Sequence, residues 1–183
     1  MTNNEFLKSI VLQYKDTLVP LAKKWGLGIG HFGLAEALST QALQAVLYKI
    51  IEQDNSWECV RIKRKKLESD YDIFLISGDS KICVETKLRD KYYRVPKVSV
   101  NKIAKILSLG GWVVNVFWDS NRYCVWDLAS YTPKISKTSW SKYHNTIDPS
   151  GEKETEYPYE FDTSKAIYSG TLDDNWLYET YFE

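Results

Sequence analysis

Apolar and polar positions along the chain fall into a helical pattern at the start and strand patterns in the middle. Phe6, Leu7, Ile10, Val11, Tyr14, Leu18, Ala22 and Trp25 recur at helical spacing, which predicts an amphipathic helix or pair of helices. Pro20 predicts a kink or break and Gly26 a stop. The apolar stripe is read as core, with a dimer surface as the alternative. Further on, Ile73-Phe74-Leu75-Ile76 is a short apolar run rich in strand formers, and Lys81-Ile82-Cys83-Val84-Glu85-Thr86-Lys87 alternates with a period of two. Gly78-Asp79 between them is a two-residue hairpin-loop signal. Closing the loop there pairs Ser77 with Ser80, and counting outward sets Asp72 opposite Glu85. Directly opposed residues share a sheet face, with Cβ atoms about 5 Å apart. Lys87, two residues beyond Glu85, lies on that face about 6–7 Å along the strand. Asp70, opposite Lys87, is a reserve candidate. A slip of one residue would send Asp72 to the other face, so the turn decides the geometry.

Two carboxylates and a lysine so placed suit metal-dependent phosphodiester cleavage. Close carboxylates repel unless a cation sits between them. Mg²⁺ takes oxygen ligands, usually one or two carboxylates, and keeps waters that can act as nucleophile. A nearby ammonium orients or helps deprotonate the attacking water and stabilises charge growing on the phosphate. One Glu-x-Lys is expected by chance in a chain with 24 acidic and 24 basic residues. The apolar strand after Asp72 and the turn in register raise this one above chance, because a carboxylate pair at the end of a very apolar hairpin is expensive without a partner.

Asp72, Glu85 and Lys87 resemble the D…ExK core of the PD-(D/E)XK nuclease superfamily, to which many type II restriction endonucleases belong. Tyr71 stands where the family name has proline. Upstream, Gly33-Leu34-Ala35-Glu36-Ala37-Leu38 opens a helix similar to the family's first core helix, and Glu36 matches its metal-supporting glutamate. Downstream, a helix around Ser99–Leu109 is followed by Gly110-Gly111 and by strands Trp112–Trp118 and Arg122–Asp127, joined by Asp119-Ser120-Asn121. The resemblance covers roughly residues 33–128 and implies the order helix, three strands, helix, two strands. It implies an α/β (α+β) fold with a restriction-endonuclease-like core, a central mixed β-sheet flanked by helices. It also implies a Mg²⁺ cofactor, or Mn²⁺, held by Asp72 and Glu85 with Glu36 in support. Lys87 would position or activate the water, the substrate would be double-stranded DNA, and a homodimer would cut both strands of a symmetric site. A repair, junction-cutting or phage-defence nuclease, and a non-catalytic nucleic-acid-binding module on the same fold, are the alternatives.

Length and composition fit one domain over 1–183, with the core at about 33–128, a helical segment at 4–26 and an aromatic, acidic extension at 129–183. No apolar run approaches the roughly 20 residues of a membrane span, and Met1-Thr2-Asn3-Asn4-Glu5 lacks signal character, so a cytoplasmic protein with no membrane partner is expected. Cys59, Cys83 and Cys124 are odd in number and far apart; they read as reduced, mostly buried thiols. The net charge of zero hides an asymmetry. Residues 148–183 hold ten acids and two bases, which leaves 22 bases and 14 acids before them. Within 57–105 there are 13 bases to 7 acids, an excess that favours a polyanionic substrate. Arg61, Lys63, Arg64, Arg89, Lys91, Tyr92, Arg94 and Lys97 are the candidate DNA contacts, although the run Arg61–Lys66 reads equally well as a solvated strand and turn.

Elsewhere the signals are weaker. Gly28-Ile29-Gly30-His31-Phe32-Gly33 matches GxGxxG, but no strand precedes it, so it reads as a flexible loop rather than a dinucleotide site. A loop histidine such as His31 is more often neither a metal ligand nor a DNA contact. Pro149-Ser150-Gly151 predicts a turn, Tyr157-Pro158-Tyr159-Glu160-Phe161 an edge strand, and Trp176, Tyr178, Tyr181 and Phe182 a cap on the core.

Overall fold

The computed structural model describes residues 2–67, 70–143 and 153–182, with the side chains of 65–67, 70–72, 142–143 and 153–154 outside the description. The expected turn at Pro149-Ser150-Gly151 lies outside the described residues. In chain order the elements are α1 (Asn3–Gln13), α2 (Lys15–Lys24), α3 (His31–Gln53), β1 (Arg61–Leu67), β2 (Asp70–Ser77), β3 (Ser80–Arg89), β4 (Lys97–Val98), α4 (Val100–Leu109), β5 (Trp112–Phe117) and β6 (Arg122–Asp127). After them come β7 (Lys134–Ile135), β8 (Trp140–Tyr143), β9 (Lys153–Glu156), β10 (Tyr159–Glu160) and β11 (Tyr168–Thr171).

The N-terminal segment is a pair of helices. Thr2 caps α1 by accepting the Glu5 N–H at 3.2 Å, while the Glu5 carboxylate accepts the Thr2 N–H at 2.7 Å; this capping box satisfies two otherwise orphaned donors. The chain breaks at Tyr14, not at Pro20, which lies inside α2. Burial of Leu18 and Ala22 holds α2 together despite the hydrogen bond that proline removes. The stripe of Phe6, Ile10, Val11, Leu18 and Ala22 is fully internal, so it is core and not a dimer surface. The helix expected from Gly33 begins two residues earlier, at His31, which makes the glycine-rich loop shorter than the sequence suggests.

A six-stranded sheet runs β1-β2-β3-β5-β6-β11. Every neighbouring pair is antiparallel except β3 and β5, which are parallel and joined through β4 and α4. Parallel pairing requires such a crossover. The fold is mixed α and β, with a central mixed sheet flanked by helices, as expected. The hairpin closes as the turn chemistry requires, Ser77 facing Ser80, with Gly78 at φ +58° in the first loop position. Gly111 matters for a different reason. A Cβ there would lie 2.3 Å from the Cys83 carbonyl oxygen, so only glycine lets β5 come alongside β3 after α4.

Alternation along the strands separates two cores. Ile73, Leu75, Val84, Leu88, Val114, Val116 and Val125 face α1–α3. Phe74, Cys83, Val113, Phe117, Cys124 and Trp126 face α4, with Val98, Ile103, Ile106 and Phe161. α3 is buried along most of its length between α1, α2 and the sheet. β4, β10 and β7 form a small second sheet in that order. The expected edge strand around Tyr159 is therefore the central one, paired on both sides. β11 extends the main sheet beyond β6. Trp176 and Leu177 are buried, Tyr181 and Phe182 pack against the core, and Tyr178 stays exposed rather than capping it. Among the described residues no helix is long and apolar enough to cross a membrane.

Candidate functional site

β3 places Glu85 and Lys87 side by side. Successive residues of a strand point to opposite faces. Cys83 belongs to the α4-facing core and Val84 and Leu88 to the α3-facing one, so Glu85, Lys87 and Arg89 all face α4. Lys87 Nζ lies 2.9 Å from Glu85 Oε1, and each side chain keeps about a quarter of its surface exposed, 27% and 24%. Glu85 Oε2 accepts no hydrogen bond among the described residues. The negative charge is felt next door, where the Cys83 thiol is pushed up first by burial and then by Glu85.

The expected pairing of Asp72 with Glu85 is not among the described β2–β3 pairs. The described ladder runs from Ser77↔Ser80 to Ile73↔Val84, and the next residue on each strand is Asp72 and Glu85. On its other side Asp72 is paired with Lys65 of β1. The side chains of Asp72 and of the reserve Asp70 lie outside the described residues. Among the described residues no three His, Cys, Asp or Glu side chains gather.

Glu36 is not brought to this site. Its carboxylate takes a salt bridge from Arg64 at 2.9 Å, and Arg64 also donates to Thr40 Oγ1 at 2.8 Å. Arg64 registers with Ile73, and Ile73 with Val84, which puts the ion pair on the α3 face. Glu85, one residue after Val84, faces the other way. Glu36 thus locks α3 to β1 instead of supporting a metal at Glu85. Arg64 is likewise removed from the DNA-contact set, its side chain only 4% exposed.

The remaining basic candidates divide by exposure. Arg61 and Lys63 are exposed on the α4 face of edge strand β1, level with Ile76 and Phe74. Lys91 and Arg94 are exposed in the loop after β3, with Lys91 Nζ 5.6 Å from the centre of the Tyr93 ring. Tyr92 is part of the framework: its N–H donates to Asp119, its hydroxyl bonds Thr163, and its ring edge-packs on Phe117 beneath Arg122. It is not free to stack on a base. Lys97 accepts from Arg89 through its carbonyl. Arg89 is turned inward, and burial pulls its pKa down to about 10, against smaller opposing effects of Tyr93, Asp90 and Glu85. It stays cationic at neutral pH.

His31 is not a loop residue but the first residue of α3, its pKa lowered by burial and by Lys8. Of the three thiols, all free, Cys59 is exposed and Cys83 and Cys124 are buried. Sequence reading missed Asn115. It is fully buried, registers with Lys87 across β3 and β5, and accepts from Arg89 Nε through Oδ1 at 3.1 Å. Its Nδ2 has no partner among the described residues, a cost of about 1–3 kcal/mol. The signal was a lone polar residue inside the apolar run Trp112–Phe117.

Compared with known proteins, the chain matches no protein-family model, and no curated protein or solved structure is similar to it.

Proposed function

We propose that the protein is a divalent-metal-dependent endonuclease that hydrolyses phosphodiester bonds in duplex DNA, built on a restriction-endonuclease-like core. The observation that carries this reading is the Glu85–Lys87 pair, 2.9 Å apart on one sheet face, in a hairpin whose described pairing runs to Ile73↔Val84, the residues next to Asp72 and Glu85. Asp72 and Glu85 are the residues to hold Mg²⁺ or Mn²⁺. A pair of carboxylates is the protein's usual share of a Mg²⁺ shell, and the uncommitted Glu85 Oε2 fits that role. When bound, the ion supplies a Lewis acid and a water of lowered pKa.

Lys87 is held ready by Glu85. Its ammonium orients the attacking water and donates to a phosphate oxygen as charge builds there. Exposed Arg61 and Lys63 on the same sheet face, with Lys91 and Arg94 beyond β3, are suited to neutralising flanking phosphates. Cutting both strands of a symmetric site, in the manner of a type II restriction endonuclease, calls for a homodimer.

Plasmid and phage genomic DNA incubated with Mg²⁺ or with EDTA test the reading. Wild type is expected to cleave only with Mg²⁺, and Glu85→Ala and Lys87→Ala to lose at least about a hundredfold in rate while melting cooperatively. No cleavage of any nucleic acid by wild type, or equal cleavage by both variants, sinks it.

A further inference from the structure

Arg89 is a part-buried cation with no salt-bridge partner among the described residues. It donates from Nε to Asn115 and from Nη2 to the Lys97 carbonyl, both neutral acceptors. Among the described residues no carboxylate forms a salt bridge with it. A guanidinium carries five N–H donors, so three of Arg89's have no hydrogen-bond acceptor among the described residues. Charges withdrawn from water are ordinarily paired, whereas the hydrogen bonds of this one among the described residues go to neutral acceptors alone.

Its setting is built for orientation. Asn115 is the one polar side chain in β5, is fully buried, and leaves its own Nδ2 unpartnered. Nε–H donation fixes which end of the amide faces Arg89, so the orphan is the donor end. What this position gains in return is a fixed guanidinium. Arg89 in turn lines a cleft of about 350 Å³ with Asn3, Asp90, Tyr93, Pro96, Lys97 and Trp140; Asp90 forms no salt bridge with it. Lys87 lies one two-residue step back on the same strand face, about 6–7 Å away. That step is comparable to the separation of successive phosphates along one nucleic-acid strand, and an arginine fork matches phosphate oxygens in pairs.

We propose that Arg89, oriented by Asn115, is a phosphate-binding subsite that holds the backbone phosphate next to the one being cleaved. The identity of the ligand rests on the endonuclease reading of Glu85 and Lys87; the need for an anion does not.

The test uses the full chain in EDTA, so that nothing is cut. Binding of a labelled DNA duplex is titrated across sodium chloride concentrations for wild type, Arg89→Gln and Arg89→Lys. Loss of one phosphate contact lowers the slope of log affinity against log salt by about 1. Arg89→Gln is expected to show that drop and Arg89→Lys, which keeps the charge, to retain the slope. In parallel, the Arg89 Nε–Hε resonance, assigned by its disappearance in Arg89→Lys, is followed on adding inorganic phosphate at constant ionic strength. A lower slope with a saturating shift supports the subsite. A lower slope without one also supports it and restricts it to phosphodiesters. An unchanged slope in Arg89→Gln overturns it whatever free phosphate does. If wild type binds no duplex but the resonance shifts, the endonuclease reading fails and the anion site stands; if neither responds, both fall. Should Arg89→Gln not fold, Asn115→Leu, close in volume, takes its place: a several-fold loss of duplex affinity at unchanged slope is expected, and unchanged affinity overturns the role of Asn115.

Discussion

Arg64 is salt-bridged to Glu36 at 2.9 Å, and that pairing separates a structural role from a metal-binding one. Glu36→Gln leaves a nearly buried guanidinium facing a neutral amide. The expected cost is about 2 kcal/mol, below the 3–5 kcal/mol of a fully buried pair because Glu36 keeps 28% exposure. Urea unfolding measures it, and the Mg²⁺ dependence of any cleavage should not move. Cys124 offers a test by pH. Burial raises its thiol from 9.0 to about 11, so the folded state resists the thiolate that the unfolded chain forms readily. The contribution is complete below about pH 9 and is lost as pH climbs to about 11. Between pH 8 and pH 10.5 wild type should lose about 2 kcal/mol more than Cys124→Ala, read from unfolding at those two values. At this scale the sequence made Glu85 and Lys87 legible as neighbours, because a period of two puts i and i+2 on one face. It left the Arg89–Asn115 bond hidden, because that bond joins residues 26 apart in sequence through a parallel pairing no local pattern specifies.

Hairpin, crossover helix and closing strands are the elements local chemistry determines most directly. β6 has its expected limits, and α4 and β5 fall within a residue of theirs; each is bounded by a turn residue, such as Gly78, Gly110 or Asn121 at positive φ. Where burial overrides local preference the expectation moved. Pro20 sits inside α2 because the packing of Leu18 and Ala22 outweighs one missing hydrogen bond. β10 is central because β4 and β7 both reach it, which depends on residues far away in sequence. A close approach between neighbouring strands is set at Gly111. Gly111→Ala would press a methyl group into the Cys83 carbonyl and separate β3 from β5. A loss of about 2–3 kcal/mol is expected, seen as a lowered melting temperature with weakened amide protection of β5. An unchanged melting temperature would show that the crossover has slack.

The whole molecule is organised by the two faces of its main sheet. One face is closed by α1–α3 and carries the Glu36–Arg64 lock; the other carries Glu85, Lys87 and Arg89 toward α4 and the small sheet. The resemblance in the sequence places Glu36 with Glu85, since motif spacing says which residues lie on neighbouring elements but not which side of the sheet each element covers. Strand alternation settles that once Val84 is known to pack against α3. The division of faces is also the most direct way to test the central claim, that Asp72, Glu85 and Lys87 alone form the hydrolytic centre. The deciding measurement is the initial rate of plasmid cleavage as a function of Mg²⁺ concentration for wild type, Asp72→Asn, Glu85→Gln and Glu36→Gln, each shown to be folded. Cleavage lost in the first two variants and a wild-type Mg²⁺ curve in Glu36→Gln is the expected result. Loss in Glu36→Gln with activity kept in Glu85→Gln, or no cleavage by any of the four, would contradict it.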